Sequence, residues 1–340
     1  MKKLGKGRNL LLVMLLIVST VLAACGNGGG GADGEEKSYK LKMSVTVSDS
    51  STWYEAAKKL ADDMEKETDG RIKIEVFTNE QLSGGDSGKA VEGLAKGSID
   101  LTFNSTIIYS ILDQRFGVTS APFLLKDHAE VDKVFNGEGG EKLKELLAEK
   151  GVHALGYGEN GFRQITNSKH EIKAPEDLNG LKIRIPGITM YTDLYRSLGT
   201  DPATMTFSEV FTALQQGTID GQENPIDVIA SSKLEEVQDY LTLWNYSYDP
   251  LVLGMNKKLY DSLSDADREL FDRLGKEAAA YQVKIAREKE ATQIEDLKAK
   301  GMNVYTPTEE ELAAFKEAVQ PIYAKYTDVW GEDLLKAFTP

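Results

Sequence analysis

A cation on a short predicted strand is the first residue of this chain whose position suits it for chemistry. Between Leu181 and Pro186, apolar side chains alternate with Lys182 and Arg184, which predicts a strand with one apolar and one cationic side. Pro186 cannot extend the ladder, so Arg184 is predicted near the end of the strand. A guanidinium there can hold a carboxylate through two parallel hydrogen bonds. From spacing alone, a solvated strand cation is the alternative interpretation.

Two overlapping short motifs resemble catalytic loops, and both are incomplete. Gly85-Asp86-Ser87-Gly88 has the form of the nucleophile turn of a serine protease, but the three histidines, at 128, 153 and 170, are isolated from one another and poorly suited to a triad. The segment 84–89 is one residue short of phosphate-loop spacing, and Ala90 stands where a hydroxyl is needed. Ser87 is therefore predicted to cap the following helix. The chain is predicted not to be an enzyme, and a secreted hydrolase using Ser87 is the alternative.

The charge balance narrows the classes of partner. The chain has 40 basic and 54 acidic residues, hence 40 − 54 = −14, and all four cations before position 25 precede the first acid, so the rest carries 36 − 54 = −18. A body of this charge is repelled by nucleic acid and by anionic lipid. An anionic ligand would need local cations to overcome the same repulsion.

The N-terminal segment has the pattern of an export signal. A basic stretch and an apolar run fill residues 1–24, which predicts a signal peptide rather than a membrane span. Leu22-Ala23-Ala24-Cys25 resembles a lipobox, so Cys25 is predicted to be the lipid attachment site, with 25–38 as a flexible tether. An ordinary signal peptide with a chance cysteine is the alternative. This lone cysteine and the separated histidines also predict no metal site, and no cofactor is expected.

From Tyr39 onward, strand and helix patterns alternate, which predicts an α/β fold with a mostly parallel sheet. Strands are predicted near 39–47, 72–76, 99–103, 152–157, 181–185 and 219, and helices over 53–66, 89–96, 208–216 and 264–300. The last of these is long enough to span two lobes. Thr308 and Glu311 have the spacing of a capping box, which predicts a C-terminal helix.

A seven-residue pattern occurs twice, at 94–100 and at 214–220. Both copies read Leu-x-x-Gly, then Ser or Thr, then Ile-Asp. In each, a helix is predicted to stop at the glycine before a strand begins. Either helix-to-strand turns simply look alike, or the chain has two similarly built lobes whose strands end at a shared cleft.

Four motifs in residues 158–225 carry the most specific information. They are Gly-Phe-Arg at 161–163, Asp-Leu-x-Gly-Leu-Lys-Ile-Arg-x-Pro at 177–186, Phe-x-Glu-Val-x-x-Ala-Leu-Gln at 207–215 and Asp-Gly-Gln-Glu-Asn-Pro at 220–225. In this order they resemble the signature of the solute-binding proteins of tripartite ATP-independent periplasmic (TRAP) transporters, the dicarboxylate-binding (DctP) family. The similarity extends from about Tyr39 to the C-terminal helices.

The resemblance implies a two-lobed periplasmic-binding-protein-like α/β fold, each lobe a mostly parallel sheet with helices, and a long helix bridging the lobes. The expected boundaries are 39–161 with 250–289 for lobe I, 162–249 with 290–310 for lobe II, and 311–340 for C-terminal helices. By motif position, Arg184 matches the carboxylate-binding arginine of the family, Arg163 a second cation, Asn224 an amide on the carboxylate and Phe207 a ring beside the ligand. Asp86, Asn104 and Trp53 (or Tyr54) are further candidates, for which helix capping or core packing is the alternative.

The implied function is capture of a small organic acid outside the cytoplasmic membrane and delivery to the membrane subunits of a TRAP transporter. Arg163 and Arg184 would neutralise the anion while the lobes close around it. If Asp86 lines the cleft, it would repel a second carboxylate and favour a sugar acid such as a uronate over a C4-dicarboxylate. A binding lipoprotein of an ATP-driven importer and a receptor that presents ligand to a membrane sensor are alternatives.

Overall fold

The computed structural model describes residues 37–340. The predicted signal peptide, Cys25 and all but the end of the predicted tether lie outside the described residues. From Ser38 to Pro340 the chain forms one compact unit. Within it, no helix is both long and apolar enough to cross a bilayer.

Nine strands of the described chain form one mixed sheet in the order β2-β1-β3-β8-β4-β7-β5-β6, with β9 pairing β8. Two sets of parallel neighbours lie at its two ends, β2-β1-β3 and β7-β5-β6, and the antiparallel strands β8 and β4 join them. The predicted α/β class with two mostly parallel sets is confirmed. The bounds are β1 Tyr39–Val45, β2 Ile72–Phe77, β3 Leu101–Ser105, β4 Val152–Asn167, β5 Lys182–Ile185, β6 Asp201–Thr204, β7 Gly221–Pro225, β8 Tyr240–Asn256 and β9 Asn303–Tyr305.

The long strands β4 and β8 differ most from the sequence prediction. The predicted strand at 152–157 continues to Asn167, through the Gly-Phe-Arg motif, and β8 was not predicted. Three register shifts interrupt the pairing of β4 with β8, and much of the second half of β4 is polar yet buried. Bulges and buried polar residues remove the simple alternation on which strand prediction depends.

The predicted helices begin and end within one or two residues of their expected bounds at most ends, whereas the helices at 128–135, 138–149, 189–197, 226–231 and 257–261 were not predicted. The helix bounds are α1 Thr52–Glu67, α2 Ser87–Lys96, α3 His128–Phe135, α4 Glu138–Glu149, α5 Thr189–Ser197, α6 Phe207–Gln215, α7 Ile226–Ser231, α8 Lys257–Asp261, α9 Asp265–Ala299, α10 Glu309–Ala318, α11 Gln320–Trp330 and α12 Glu332–Phe338. The predicted capping box is confirmed, since Thr308 Oγ1 accepts from the Glu311 amide at 3.3 Å and the Glu311 carboxylate accepts from the Thr308 amide at 2.7 Å.

The long helix α9 connects distant parts of the sheet. The Gln282 amide donates to Thr52 at the start of α1 (3.0 Å) and to the Glu159 carbonyl in β4 (2.8 Å). Further along the helix, Gln293 donates to Asp227 in α7 at 2.8 Å. Its N-terminal half packs into a core with β1, β3 and α1, and Leu297 packs into a separate core with α6 and α7. One helix thus supports two separately built hydrophobic cores.

The repeated pattern occupies equivalent positions in the fold. Gly97 ends α2 with φ +86°, and Gly217 follows α6 with φ +65°, a left-handed conformation that favours glycine. β3 and β7 follow these turns, and the strand predicted near Ile219 begins at Gly221. The ends of β3 and β7 contribute Asn104 and Asn224 to one cavity.

Candidate functional site

A cavity of about 410 Å³, including its opening to solvent, lies where β3, β4, β5 and β7 bring polar side chains together. Segments from both ends of the sheet form its wall. The lining residues are Thr46, Val47, Trp53, Ser87, Asn104, Ser105, Ile107, Ile108, Asn160, Arg163, Arg184, Pro186, Phe207, Asn224 and Val228. Six of the seven residues predicted to bind ligand are therefore brought to one cavity.

Arg184 is a buried cation of this cavity that has no counterion among the described residues. It lies on β5, paired with β7, and is 4% exposed, so it is not a solvated strand cation. Its Nε and Nη2 donate to the Met205 carbonyl at 3.2 and 2.8 Å, and across residues 37–340 no carboxylate lies within ion-pairing distance. Burial and, to a smaller extent, the charge of Arg163 lower its pKa to about 10. The group therefore stays charged at neutral pH and attracts an anion.

Arg163, in contrast, is already neutralised by two carboxylates. Because β4 lies between β7 and β8, Glu223 and Asp249 reach its guanidinium from the two neighbouring strands. Arg163 donates through Nε and Nη2 to Glu223 at 2.5 and 2.9 Å and through Nη1 to Asp249 at 2.6 Å. Burial lowers the pKa of Arg163, but these charges outweigh it and the pKa lies well above its usual value. Burial also raises the pKa of Asp249.

The other predicted residues at the cavity are held by neighbours of their own. Asn224 Oδ1 accepts from Arg163 Nη2 at 3.2 Å, and Phe207 places its ring centroid 5.6 Å from the Arg184 guanidinium carbon. Asn104 Oδ1 accepts from the Ser105 amide at 2.9 Å. Trp53, 2% exposed, packs in the core of α1, and its Nε1 has no hydrogen-bond partner among the described residues.

Asp86 does not line this cavity. Its carboxylate caps α2 by accepting from the amides of Gly88 (2.9 Å) and Lys89 (3.2 Å), which is the capping alternative left open by the sequence. The prediction that Ser87 caps this helix is wrong, because Asp86 occupies the N-cap position and Ser87 begins the helix. Ser87 itself lines the cavity. The argument that Asp86 disfavours a second carboxylate therefore has no geometric support.

The serine-protease resemblance of this turn has no histidine to complete it. His153 Nε2 lies 2.9 Å from Asp272, His170 Nε2 is 2.9 Å from the Asp177 carbonyl, and His128 Nε2 is 3.3 Å from Glu159. In the described part of the chain, no three His, Cys, Asp or Glu residues are grouped so that they could hold a metal ion.

Sequence reasoning missed the residues that support or complete the cavity. Asn160 lies in the Gly-Glu-Asn-Gly-Phe-Arg stretch three residues after the expected end of the strand, and its Nδ2 donates to Asp249 at 2.7 Å. Thr46 and Ser105 follow or end apolar strands, where nothing in a single sequence separates a cavity residue from a turn residue. The available signal for Asn160 is that it is polar and directly precedes the Gly-Phe-Arg motif.

Residues 43–328 match the family of bacterial extracellular solute-binding proteins, family 7, also called DctP. The fold and the cavity define a binding protein of this class. The chain belongs to this family, which confirms the TRAP resemblance of its motifs.

Related proteins align with most of the chain. It is 36% identical over 296 residues to a solute-binding protein of Verminephrobacter eiseniae, covering 87% of each chain. It is 35% identical over 302 residues to the 2,3-diketo-L-gulonate-binding periplasmic protein YiaO of Escherichia coli, covering 87% of this chain and 90% of that one.

Solved structures of similar proteins share the fold. The sugar acid binding protein DctPAm of Advenella mimigardefordensis, in complex with galactonate, matches with TM-score 0.86 and 34% identity over 90% of this chain and 98% of that one. A TRAP periplasmic solute-binding protein of a Polaromonas species, bound to D-erythronate, matches with TM-score 0.84 and 36% identity over 88% and 98%. One from Sulfurospirillum deleyianum with bound succinate matches with TM-score 0.83 and 29% identity over 89% and 98%.

Proposed function

We propose that this protein is an extracytoplasmic solute-binding protein of a TRAP-type secondary transporter, which captures a small organic acid through Arg184 and delivers it to the membrane subunits. The observation that carries the proposal is a buried guanidinium in a polar cavity that pairs with no carboxylate of residues 37–340. Burying an unpaired charge is unfavourable, and a bound carboxylate compensates that cost by charge-assisted hydrogen bonds. The ligands bound in the similar structures, galactonate, D-erythronate and succinate, are all small organic acids.

The structure supports different roles for the two arginines. Nη1 of Arg184 has no hydrogen-bond partner in the described chain, whereas Nε and Nη2 donate to the Met205 carbonyl. Arg163 is fully engaged with Glu223 and Asp249, and its Nη2 also orients the amide of Asn224. Arg184 is the proposed clamp, and Arg163 acts by positioning Asn224 beside the same carboxylate.

Closing and reopening of two lobes around the ligand would account for its release and its delivery to the membrane subunits. The proposed boundaries, 161/162, 249/250 and 289/290, fall inside β4, β8 and α9, so three continuous elements would form the hinge. Contacts across the cavity include Thr52 donating to Asp227 through its amide (3.1 Å) and hydroxyl (3.0 Å), and Ser208 donating to the Gly85 carbonyl (3.3 Å). A ligand that touches both walls favours this closed arrangement, which the membrane subunits would recognise.

A thermal-shift screen of organic acids tests the proposal. An acid at 100 times its Kd stabilises the protein by about 2.7 kcal/mol, because it binds only the folded state. We expect at least one small carboxylate to raise the melting temperature, with the corresponding amide or alcohol as an uncharged control. Equal stabilisation by the uncharged analogue, or none by any acid, would argue against the proposal. Neighbouring genes for a small and a large membrane subunit favour a TRAP system, and an ATPase gene would favour an ATP-driven importer.

We also propose that the mature protein is held at the membrane by a lipid on Cys25. The support is the Leu22-Ala23-Ala24-Cys25 sequence followed by a glycine-rich segment. A single acyl chain binds membranes weakly, so stable anchoring requires more than one chain on this cysteine. We expect the wild-type protein in the membrane fraction and Cys25→Ser in the soluble fraction, with Ser48→Ala as a matched control. Recovery of the wild type and of Cys25→Ser in the same fraction, or detection of an unmodified Cys25 by mass spectrometry, would refute the proposed lipid anchor.

A further inference from the structure

A buried carboxylate that pairs with no cation of the described chain lies next to the cavity and has no part in the proposed function. Glu80 is 2% exposed, and it accepts hydrogen bonds from Thr46 (2.7 Å), Ser44 (2.8 Å), Asn104 (3.3 Å) and Ser83 (3.3 Å). Four donors match the acceptor capacity of an ionised carboxylate. Between residues 37 and 340, no Lys, Arg or His forms an ion pair with it. The side of the cavity that carries Thr46 and Asn104 therefore has a negative charge behind it.

Glu80 determines which hydrogen-bonding atoms of its two cavity-lining partners, Thr46 and Asn104, remain available to a ligand. Thr46 has a single hydroxyl proton, and the carboxylate at 2.7 Å is a stronger acceptor than the Asn104 amide oxygen at 3.0 Å. Donation to Glu80 leaves the lone pairs of the Thr46 hydroxyl for the cavity. Asn104 Nδ2 uses one proton on Glu80 and retains the other. This wall consequently offers one acceptor and one donor, as a hydroxyl group requires.

Two further cavity residues have unsatisfied polar atoms of opposite kinds. Trp53 Nε1 is a buried donor without a partner, and Asn160 Oδ1 is a buried acceptor without a partner in the described chain. The Asn160 orientation follows from its Nδ2, which donates to the Asp249 carboxylate at 2.7 Å. Only a ligand with a hydrogen to donate can satisfy Asn160 Oδ1, and an ionised carboxylate has none. A hydroxyl group satisfies either atom.

We propose that the cavity selects an acid with a single carboxylate and one or more hydroxyl groups over a dicarboxylate, and that Glu80 is the positioning residue that enforces this choice. The inference rests on the proposed function, since it assigns the one carboxylate to Arg184. Arg163 cannot receive a second carboxylate because Glu223 and Asp249 already neutralise it. A second carboxylate beside Thr46 and Asn104 would face the charge of Glu80 behind them, and one beside Asn160 would meet an unsatisfied acceptor. Repulsion by the like charge of Glu80 and the lack of a hydrogen to donate to Asn160 Oδ1 both disfavour a second carboxylate.

Three acids with four carbons test the proposal on the wild-type protein by calorimetry. D-erythronate has one carboxylate and three hydroxyl groups, butanoate has one carboxylate and none, and succinate has two carboxylates and none. We expect D-erythronate to bind at least about tenfold more tightly than either of the others, since leaving buried polar atoms unpaired costs that much or more. Succinate or butanoate binding as tightly as D-erythronate would overturn the proposal.

Glu80→Gln tests the specificity role directly. The amide keeps the shape and can still accept from Thr46 and Asn104, which share one oxygen of Glu80, but it removes the negative charge behind this wall. We expect the ratio of the succinate Kd to the D-erythronate Kd to fall by about tenfold. Glu75→Gln is the matched control, because Glu75 is exposed on neighbouring β2 and should leave the ratio unchanged. An unchanged ratio in folded Glu80→Gln would overturn the role of this residue.

Trp53→Phe keeps the result interpretable if Glu80→Gln does not fold. Phenylalanine retains an aromatic ring in the same core and removes the Nε1 donor together with part of the ring volume. We expect D-erythronate to bind about tenfold more weakly and butanoate to be unaffected. Equal losses for both acids would indicate a purely structural role for Trp53 and contradict the proposal. If succinate binds best and Arg184→Ala abolishes its binding, the selectivity fails but the proposed function stands. If no acid binds, both fail.

Discussion

Arg184→Ala should remove most of the affinity for the acid while leaving the protein folded and at least as stable as the wild type. Truncating one partner of a buried, hydrogen-bonded charge pair costs about 2–5 kcal/mol, which corresponds to a roughly 30- to 5,000-fold increase in Kd. In the free protein, this guanidinium is buried with a single carbonyl as its partner. Its removal therefore relieves a desolvation cost instead of breaking an ion pair.

Calorimetric titration with the acid found in the screen, together with thermal melting of the free protein, checks both parts of this expectation. Arg184→Lys is the matched variant, because it keeps the charge but loses the planar fork, so an intermediate affinity is expected. An unchanged Kd for Arg184→Ala would remove the clamp from the proposed function. A large fall in the stability of the free variant would show that Arg184 has a structural counterion after all.

Arg163→Ala should greatly reduce the stability of the protein, in contrast to Arg184→Ala, which should mainly reduce its affinity for the acid. Removing this guanidinium leaves Glu223 and Asp249 buried at 0% exposure without a cation. Breaking a buried ion pair by deleting one partner destabilises a protein by about 3–5 kcal/mol. Tyr246, Ser105 and Asn160 still donate to these carboxylates, but neutral donors do not replace the charge. Affinity should fall as well, since Asn224 loses the donor that orients it.

Urea denaturation of the free protein measures this effect. Arg273→Ala serves as the control, because Arg273 pairs with Glu67 and Glu277 at the surface with 48% of its side chain exposed, and such pairs contribute about 1 kcal/mol or less. A wild-type unfolding midpoint for Arg163→Ala, combined with lost binding, would restore Arg163 as a direct ligand contact. The two arginines of the motif stretch are thus separable by stability and affinity measured side by side.

The fold could be predicted from the sequence where a helix or strand buries only one of its faces. Helices such as α1 and α9 and strands such as β1 and β2 expose one face, so their periodicity is visible. Prediction failed for β8 and for the second half of β4. There both faces are buried, bulges interrupt the register, and charged residues such as Arg163 and Asp249 are accommodated by one another. Each of these residues resembles a loop residue until its partner from another strand is known.

The sequence by itself determined the class of protein, the α/β class of its fold and six of the residues that meet at the cavity. These depend on local periodicity and on motifs that are contiguous in the chain. Tertiary structure decided which of two similar arginines has a free charge, whether Asp86 faces ligand or caps a helix, and where Glu80 lies. The reason is that the charge available at a site depends on neutralisation by strands far apart in sequence. Glu223 and Asp249 reach Arg163 only because β4 lies between β7 and β8, and no carboxylate in the described chain reaches Arg184 on β5.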